Sequence, residues 1–77
     1  MRLSYDDEVD AAYLRLREET DDIGLVTSEV FRPPNSEDQI DEFVLDFDRE
    51  GRLVGIEILR AKRRLLPSVL ARAHRHG

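Results

Sequence analysis

Short alternations of apolar and polar residues recur along this chain, and they predict strands rather than long helices. Residues 43–47 place Phe43, Leu45 and Phe47 at every second position, and residues 53–59 hold a similar apolar row at 54, 56 and 58. Alternation with a period of two puts the apolar side chains on one face of a strand. The pattern therefore predicts two adjacent strands in the second half of the chain.

The four residues between these strands, Asp-Arg-Glu-Gly at 48–51, are typical of a tight hairpin turn. Asp48 can accept hydrogen bonds from the turn amides, and Gly51 suits the position that requires a positive φ. Asp46 and Asp48, about 7 Å apart along a strand, supply too few oxygens for a hard metal ion. We therefore predict a structural turn at Asp48 and Gly51, and expect neither a metal nor a cofactor.

The remaining segments predict two further strands, a loop and a helix. Residues 1–5 alternate, and residues 23–31 are rich in β-branched side chains, so each predicts a strand. Residues 32–42 begin with an arginine, two prolines, an asparagine and a serine, and they predict a turn-rich, mobile loop. A connector then leads to a short helix beginning at Pro67, which suits the first helical position. Three basic residues suit the C-terminal end of that helix: Arg72, His74 and Arg75.

The segment that follows the first predicted strand fits two structures. Val9, Ala12, Tyr13 and Leu16 are spaced like one face of a helix. Ala12, Leu14 and Leu16 also alternate with polar or larger residues, as in a strand. Periodicity alone leaves both structures open.

The composition is that of a small chain without covalent reinforcement. It has 77 residues and no cysteine, which excludes disulfides, thiolate metal sites and a thiol nucleophile. A domain of this size buries only about 60% of the surface that its unfolded chain exposes, so association is the remaining source of stability. No apolar run approaches the ~20 residues of a membrane helix. We expect a single cytoplasmic domain over residues 1–77 that forms a homodimer.

Charge divides the chain into two parts. Residues 1–57 hold all seventeen acids against six arginines, a balance of −11, whereas residues 58–77 hold six cations and no acid. We therefore separate an acidic sheet body at 1–59 from a basic connector and helix at 60–77. The basic segment is expected to fold back on the body or on a partner's body.

Two motifs resemble a known family. Y-D-D-E-V-D-A-A-Y-L-R-L at 5–16 and D-F-D-R-E-G-R-L-V-G-I-E-I-L-R-A-K-R-R-L at 46–65 are similar to domain-of-unknown-function family 2283, small prokaryotic proteins. The loop at 32–42 is longer than the family's usual connection. The resemblance implies a helical turn at 6–11 and a second strand at 12–17. The fold is then α+β: a small antiparallel sheet of four to five strands with one helical turn near the N-terminus and a short C-terminal helix.

The resemblance also draws attention to recurrent polar and aromatic positions near the N-terminus. It implies that Asp6 caps the turn and that Tyr13 packs beside Tyr5. A candidate cleft would combine Asp10, Tyr13 and Arg15. The mid-strand Gly55 indicates close approach of a bulge or a covering side chain.

An enzyme is the least favoured class of function. No serine lies in a G-x-S-x-G context, and the two histidines, His74 and His76, lie at the C-terminus, where neither is placed to act as an oriented base. An enzyme using an acidic cleft is the remote alternative.

A non-enzymatic protein-interaction or regulatory module is the leading hypothesis. The edges of a small sheet recruit partners by strand addition, and an acidic body would attract a basic protein. The family resemblance suggests an antitoxin-like role. The alternative is nucleic-acid binding through the basic segment, for which the candidate contacts are Arg60, Lys62, Arg63 and Arg64. A membrane-surface role is not expected, because the apolar stripe of the C-terminal helix is narrow.

Overall fold

The computed structural model describes residues 1–36 and 42–75, and these form one six-stranded sheet with two short helices. The elements, in chain order, are β1 (Arg2–Asp6), β2 (Ala11–Arg15), β3 (Thr27–Phe31), β4 (Phe43–Phe47), β5 (Leu53–Leu59), α1 (Ala61–Arg64), α2 (Pro67–Leu70) and β6 (His74–Arg75). The strand order is β3-β4-β5-β2-β1-β6. Neighbouring strands are antiparallel except β1 and β6, which are parallel.

The mixed α+β class is confirmed, but the prediction of four to five antiparallel strands is wrong in detail. Residues His74–Arg75, predicted to end a helix, form β6 instead. The helix that starts at Pro67 ends at Leu70. β6 then pairs with the outer edge of β1, whose backbone groups would otherwise lack partners on that side.

The ambiguous N-terminal segment is extended. Residues 7–10 form a turn rather than a helix, and β2 follows directly. Asp6 accepts a hydrogen bond from the amide of Glu8 at 3.0 Å, so its predicted role in the turn is confirmed. The strand pattern prevails because β2 pairs along its whole length with both β1 and β5.

The pairing register separates two faces of the sheet. Tyr5, Ala12, Ile58 and Phe43 are successive cross-strand partners, so they form one row. We call the side that carries this row the apolar face. The opposite side, the polar face, carries the alternate residues; two of its rows contain Arg2, Ser4, Tyr13, Arg15, Gly55, Glu57 and Asp46.

The core lies between the apolar face and the C-terminal segment. Ala61 and Ala73 are buried in one cluster with Tyr5, Ala12 and Ile58. Two apolar side chains from the same segment pack against that cluster: Leu65 and Leu70. The basic segment therefore folds back on the body and covers the apolar face.

Candidate functional site

Asp48 organises the β4–β5 turn. Its Oδ1 accepts hydrogen bonds from the amides of Glu50 and Arg52, both at 2.9 Å, and its Oδ2 accepts one from Arg52 Nε at 2.8 Å. These donors, led by the Arg52 amide, lower the pKa of Asp48. Gly51 has φ 81°, as the predicted turn requires. Asp48 lies beyond the end of β4 and does not share a strand face with Asp46.

Asp10 connects the β1–β2 turn to α1. Its Oδ1 accepts hydrogen bonds from the Tyr5 hydroxyl at 2.8 Å and from the Lys62 amide at 3.0 Å. Its own carbonyl accepts one from the Ala61 amide at 3.0 Å. Burial, followed by the Asp10 carboxylate, raises the pKa of Tyr5. These contacts give Asp10 a structural role at the margin of the core.

Tyr13 extends across the polar face to Asp46. Its hydroxyl donates to Asp46 Oδ2 at 3.0 Å, and the hydroxyl of Ser28 donates to Asp46 Oδ1 at 2.6 Å. A network therefore spans the neighbouring strands β2, β5, β4 and β3. Burial raises the pKa of Tyr13, and its hydrogen bond to the Asp46 carboxylate adds to the effect.

Gly55 makes room for this network. A Cβ placed at Gly55 would overlap the hydroxyl oxygen and Cζ of Tyr13. The prediction that a mid-strand glycine marks a covering side chain is therefore confirmed. The expectation that Tyr13 packs beside Tyr5 is wrong, because Tyr5 pairs with Ala12 and points to the opposite face.

The structure separates the three residues of the candidate cleft. Tyr13 and Arg15 share the polar face of β2, whereas Asp10 engages Tyr5 and the backbone of α1. Two shallow grooves adjoin Tyr13 on the polar face. The smaller, about 280 Å³, is lined in part by Asp6 and Glu57. The larger, about 470 Å³, is lined by Arg2, Ser4, Tyr13, Arg15, Arg17, Glu19, His74 and Arg75.

The four basic residues proposed for nucleic-acid contact have different surroundings. The Arg64 guanidinium donates to the carbonyls of Pro34 at 2.7 Å and Asn35 at 3.3 Å. Arg64 therefore holds the start of the 32–42 loop, part of which lies outside the described residues. Lys62 and Arg63 are exposed on α1, and Arg60, half-buried, has a left-handed backbone at the helix start.

Sequence reasoning missed the larger groove. Its cations come from residues 2, 15, 17 and 75, and three of these belong to the segment that counts as acidic. Only the pairing of β1 with both β2 and β6 brings them together. The alternation of Arg15 and Arg17 was the one available signal, because it places both side chains on the same strand face.

Within residues 1–36 and 42–75, no three or more histidine, aspartate or glutamate side chains form a group that could hold a metal ion. No helix of the described chain has the length and hydrophobicity to cross a membrane.

The chain belongs to a family whose model is described as "Protein of unknown function (DUF2283)". That model matches residues 2–62, which include all of the motif at 5–16 and most of the motif at 46–65. No curated protein and no solved structure matches the chain.

Proposed function

We propose that this chain is a non-enzymatic, cytoplasmic interaction module that binds a basic protein through the edge strand β3, in an antitoxin-like manner. The observation that carries the proposal is the exposure of β3. All five of its residues are exposed, and it pairs only with β4 among the described strands. Edge strands offer unpaired backbone groups to which another chain can add a strand.

Apolar side chains on both faces of β3 support partner binding. Val30 is 58% exposed and Phe31 is 50% exposed. Phe31 lies 6.3 Å from Phe43 between ring centroids, at the uncovered end of the apolar face. An added strand would bury both side chains and gain the hydrophobic free energy of their exposed area.

Charge near this edge favours a basic partner. Glu29 is exposed at the centre of β3, and Asp46 lies opposite Ser28 on the neighbouring strand. Complementary charge increases the rate of encounter and disfavours acidic competitors.

The geometry of the polar face supports a non-enzymatic role. Both oxygens of Asp46 accept hydroxyl hydrogen bonds, and Tyr13 has a raised pKa, so it remains a protonated donor at neutral pH. A catalytic base needs a free acceptor directed at its substrate.

A homodimer is part of the proposal because the core is small. In the described ranges, Tyr5 is the one large side chain with less than 2% of its surface exposed. Association of two copies would bury apolar surface that the monomer leaves in water. Sedimentation equilibrium tests the dimer. A monomer at high micromolar concentration would contradict this part of the proposal.

The partner is tested by pull-down of the tagged chain from its host's lysate, with and without nuclease. The edge variant is Val30→Lys, and the matched control is Leu66→Lys, at a position 69% exposed outside the sheet. We expect a basic protein to co-purify with the tagged chain in stoichiometric amount, with or without nuclease treatment. This co-purification should be lost with Val30→Lys and retained with Leu66→Lys. Equal loss in both variants, or nucleic acid as the sole partner, would contradict the proposal.

A further inference from the structure

Arg2 and Arg15 lie directly opposite each other in the β1–β2 pair. Both side chains belong to the polar face, since their shared row alternates with the apolar rows of Leu3 and Tyr5. Like charges at directly opposed positions in an antiparallel pair destabilise the pairing. An unfavourable charge pair of this kind points to a functional site when no gain in stability elsewhere explains it.

The same end of the polar face gathers more positive charge. Arg17 follows Arg15 by two residues, and His74 lies beside Ser4 in the β1–β6 pair. These residues and Arg75 line the groove of about 470 Å³, in which Glu19 is the one acid. The Arg75 guanidinium lies over the Tyr5 ring, on the apolar face, so its charge is not counted here. The other three arginines and the glutamate leave two positive charges in the groove, in a chain whose net charge is −5.

Nearby carboxylates neutralise only part of this charge. Glu19 lies 3.3 Å from Arg15, and the closest carboxylate oxygen of Glu18 lies 3.8 Å from the N-terminal amine. Within residues 1–36 and 42–75, no carboxylate oxygen lies within 4.0 Å of the guanidinium groups of Arg2, Arg17 or Arg75. Arg75 instead places its guanidinium 4.8 Å from the centroid of the Tyr5 ring.

We propose that this surface, the arginine groove, binds a phosphate-bearing ligand. Guanidinium groups are planar and bind phosphate oxygens in a bidentate manner. A phosphate dianion between Arg2 and Arg15 would replace their repulsion with two attractions. The hydroxyl of Ser4 lies in the same groove and can supply a further donor. The volume suits a small ligand, since such sites occupy about 300–1,000 Å³.

This inference goes beyond the proposed function, because the groove and the β3 edge lie at different parts of the sheet. β3 is one edge of the strand order, and β2, β1 and β6 form the other end. A failure of the phosphate site would therefore leave the partner-binding test at Val30 unaffected.

The test is calorimetric titration of the whole chain with sodium pyrophosphate, at ionic strength held constant with sodium chloride. The groove variants are Arg2→Gln and Arg17→Gln, and the matched control is Arg72→Gln, an exposed arginine outside the groove. We expect each groove variant to weaken pyrophosphate binding by at least about tenfold, the equivalent of one charge-assisted contact. The control should bind like the parent.

Thermal unfolding of each unliganded variant shows whether a loss of pyrophosphate binding comes from a loss of stability. Arg2→Gln removes the repulsion with Arg15, so the unliganded variant should unfold at the same or a higher temperature than the parent. Pyrophosphate should raise the unfolding temperature of the parent and of Arg72→Gln, but not that of Arg2→Gln.

Two further arms distinguish the source of the phosphate. If a single-stranded oligonucleotide binds and Arg2→Gln reduces the salt dependence of that binding, phosphodiesters are a source. If pyrophosphate alone binds, the ligand is a small phosphate compound. No heat with either ligand, equal binding of citrate, or an equal response from Arg2→Gln and Arg72→Gln would overturn the proposal.

Discussion

Gly55 and Tyr13 are structurally interdependent on the polar face. The Tyr13 ring occupies the space that a side chain at position 55 would need, and this position lets the hydroxyl reach Asp46. Gly55 has no backbone conformation that requires glycine, because its φ lies outside the positive range. Its role is therefore steric.

Gly55→Ala should reduce the free energy of unfolding by about 1–2 kcal/mol, because the Tyr13–Asp46 hydrogen bond must break or the strand must bend. In a Tyr13→Ala background, the same substitution should be neutral or stabilising, since alanine restricts the unfolded chain more than glycine does. Urea denaturation of the parent, the two single variants and the double variant measures the coupling energy between positions 13 and 55. If the two substitutions change the free energy of unfolding additively, Tyr13 does not occupy this space.

The Asp48 turn gives stability a defined pH dependence. The folded state lowers the pKa of Asp48 below its ordinary 3.8. Its contribution to stability is complete above that value and is lost as the pH falls through the lower pKa of the folded state.

Asp48→Asn should therefore be less stable than the parent at pH 7, and the difference should narrow below pH 3.8. Urea midpoints at pH 7, 5 and 3 test this expectation. Asp7→Asn, at an exposed turn position, is the control and should follow the parent. A constant difference between Asp48→Asn and the parent at all three pH values would argue against the ionised Asp48 as the cause.

At the scale of elements, Asp10 joins the β1–β2 hairpin to α1 through side-chain and backbone acceptors. Tyr5 is 1% exposed, so its hydroxyl depends on Asp10 for a partner. The turn and the helix start thus form one unit although they are 52 residues apart in sequence.

Asp10→Ala should destabilise the fold by about 1–3 kcal/mol, because it leaves a buried hydroxyl and a helix amide unpaired. The loss should be smaller when measured in a Tyr5→Phe background, where the hydroxyl is absent. Thermal or urea unfolding of the double-mutant cycle gives the coupling energy. If Asp10→Ala lowers the free energy of unfolding equally in the parent and in the Tyr5→Phe background, the Tyr5–Asp10 hydrogen bond contributes nothing to stability.

The sequence pattern predicted those strands and turns that are determined by residues close together in the chain. The β4–β5 hairpin follows from the alternation of Phe43 and Leu45 with their neighbours and from the chemistry of Asp48 and Gly51. β6 was missed because two residues carry no periodicity, and their strand exists only where β1 offers an edge. The helix α1 was missed because its four residues, one buried alanine and three basic side chains, have no apolar stripe.

At the scale of the molecule, the fold redistributes charge that is segregated in sequence. The acidic body and the basic segment are in contact, since Arg64 holds the loop after β3 and Arg75 lies over Tyr5. Sequence order therefore could not reveal the arginine groove, which depends on which strands are neighbours.

The C-terminal segment should be essential for folding. A chain ending at Leu59 would expose Tyr5, Ala12 and Ile58, whose cover is Ala61 and Ala73. We expect this truncated chain to lack a cooperative unfolding transition by circular dichroism, whereas a chain ending at Arg75 should retain it. Cooperative unfolding of both chains at the same temperature would show that residues 1–59 fold independently.

The strand order also has a consequence for the time course of folding. The pairs β1–β2 and β3–β4–β5 connect sequence neighbours, whereas the central β2–β5 pair and the β1–β6 pair join distant segments. Closing long loops slows folding. During synthesis, β1 leaves the ribosome before β6, so its outer edge stays unpaired until β6 has followed. Nascent chains would therefore present that edge to chaperones during this interval.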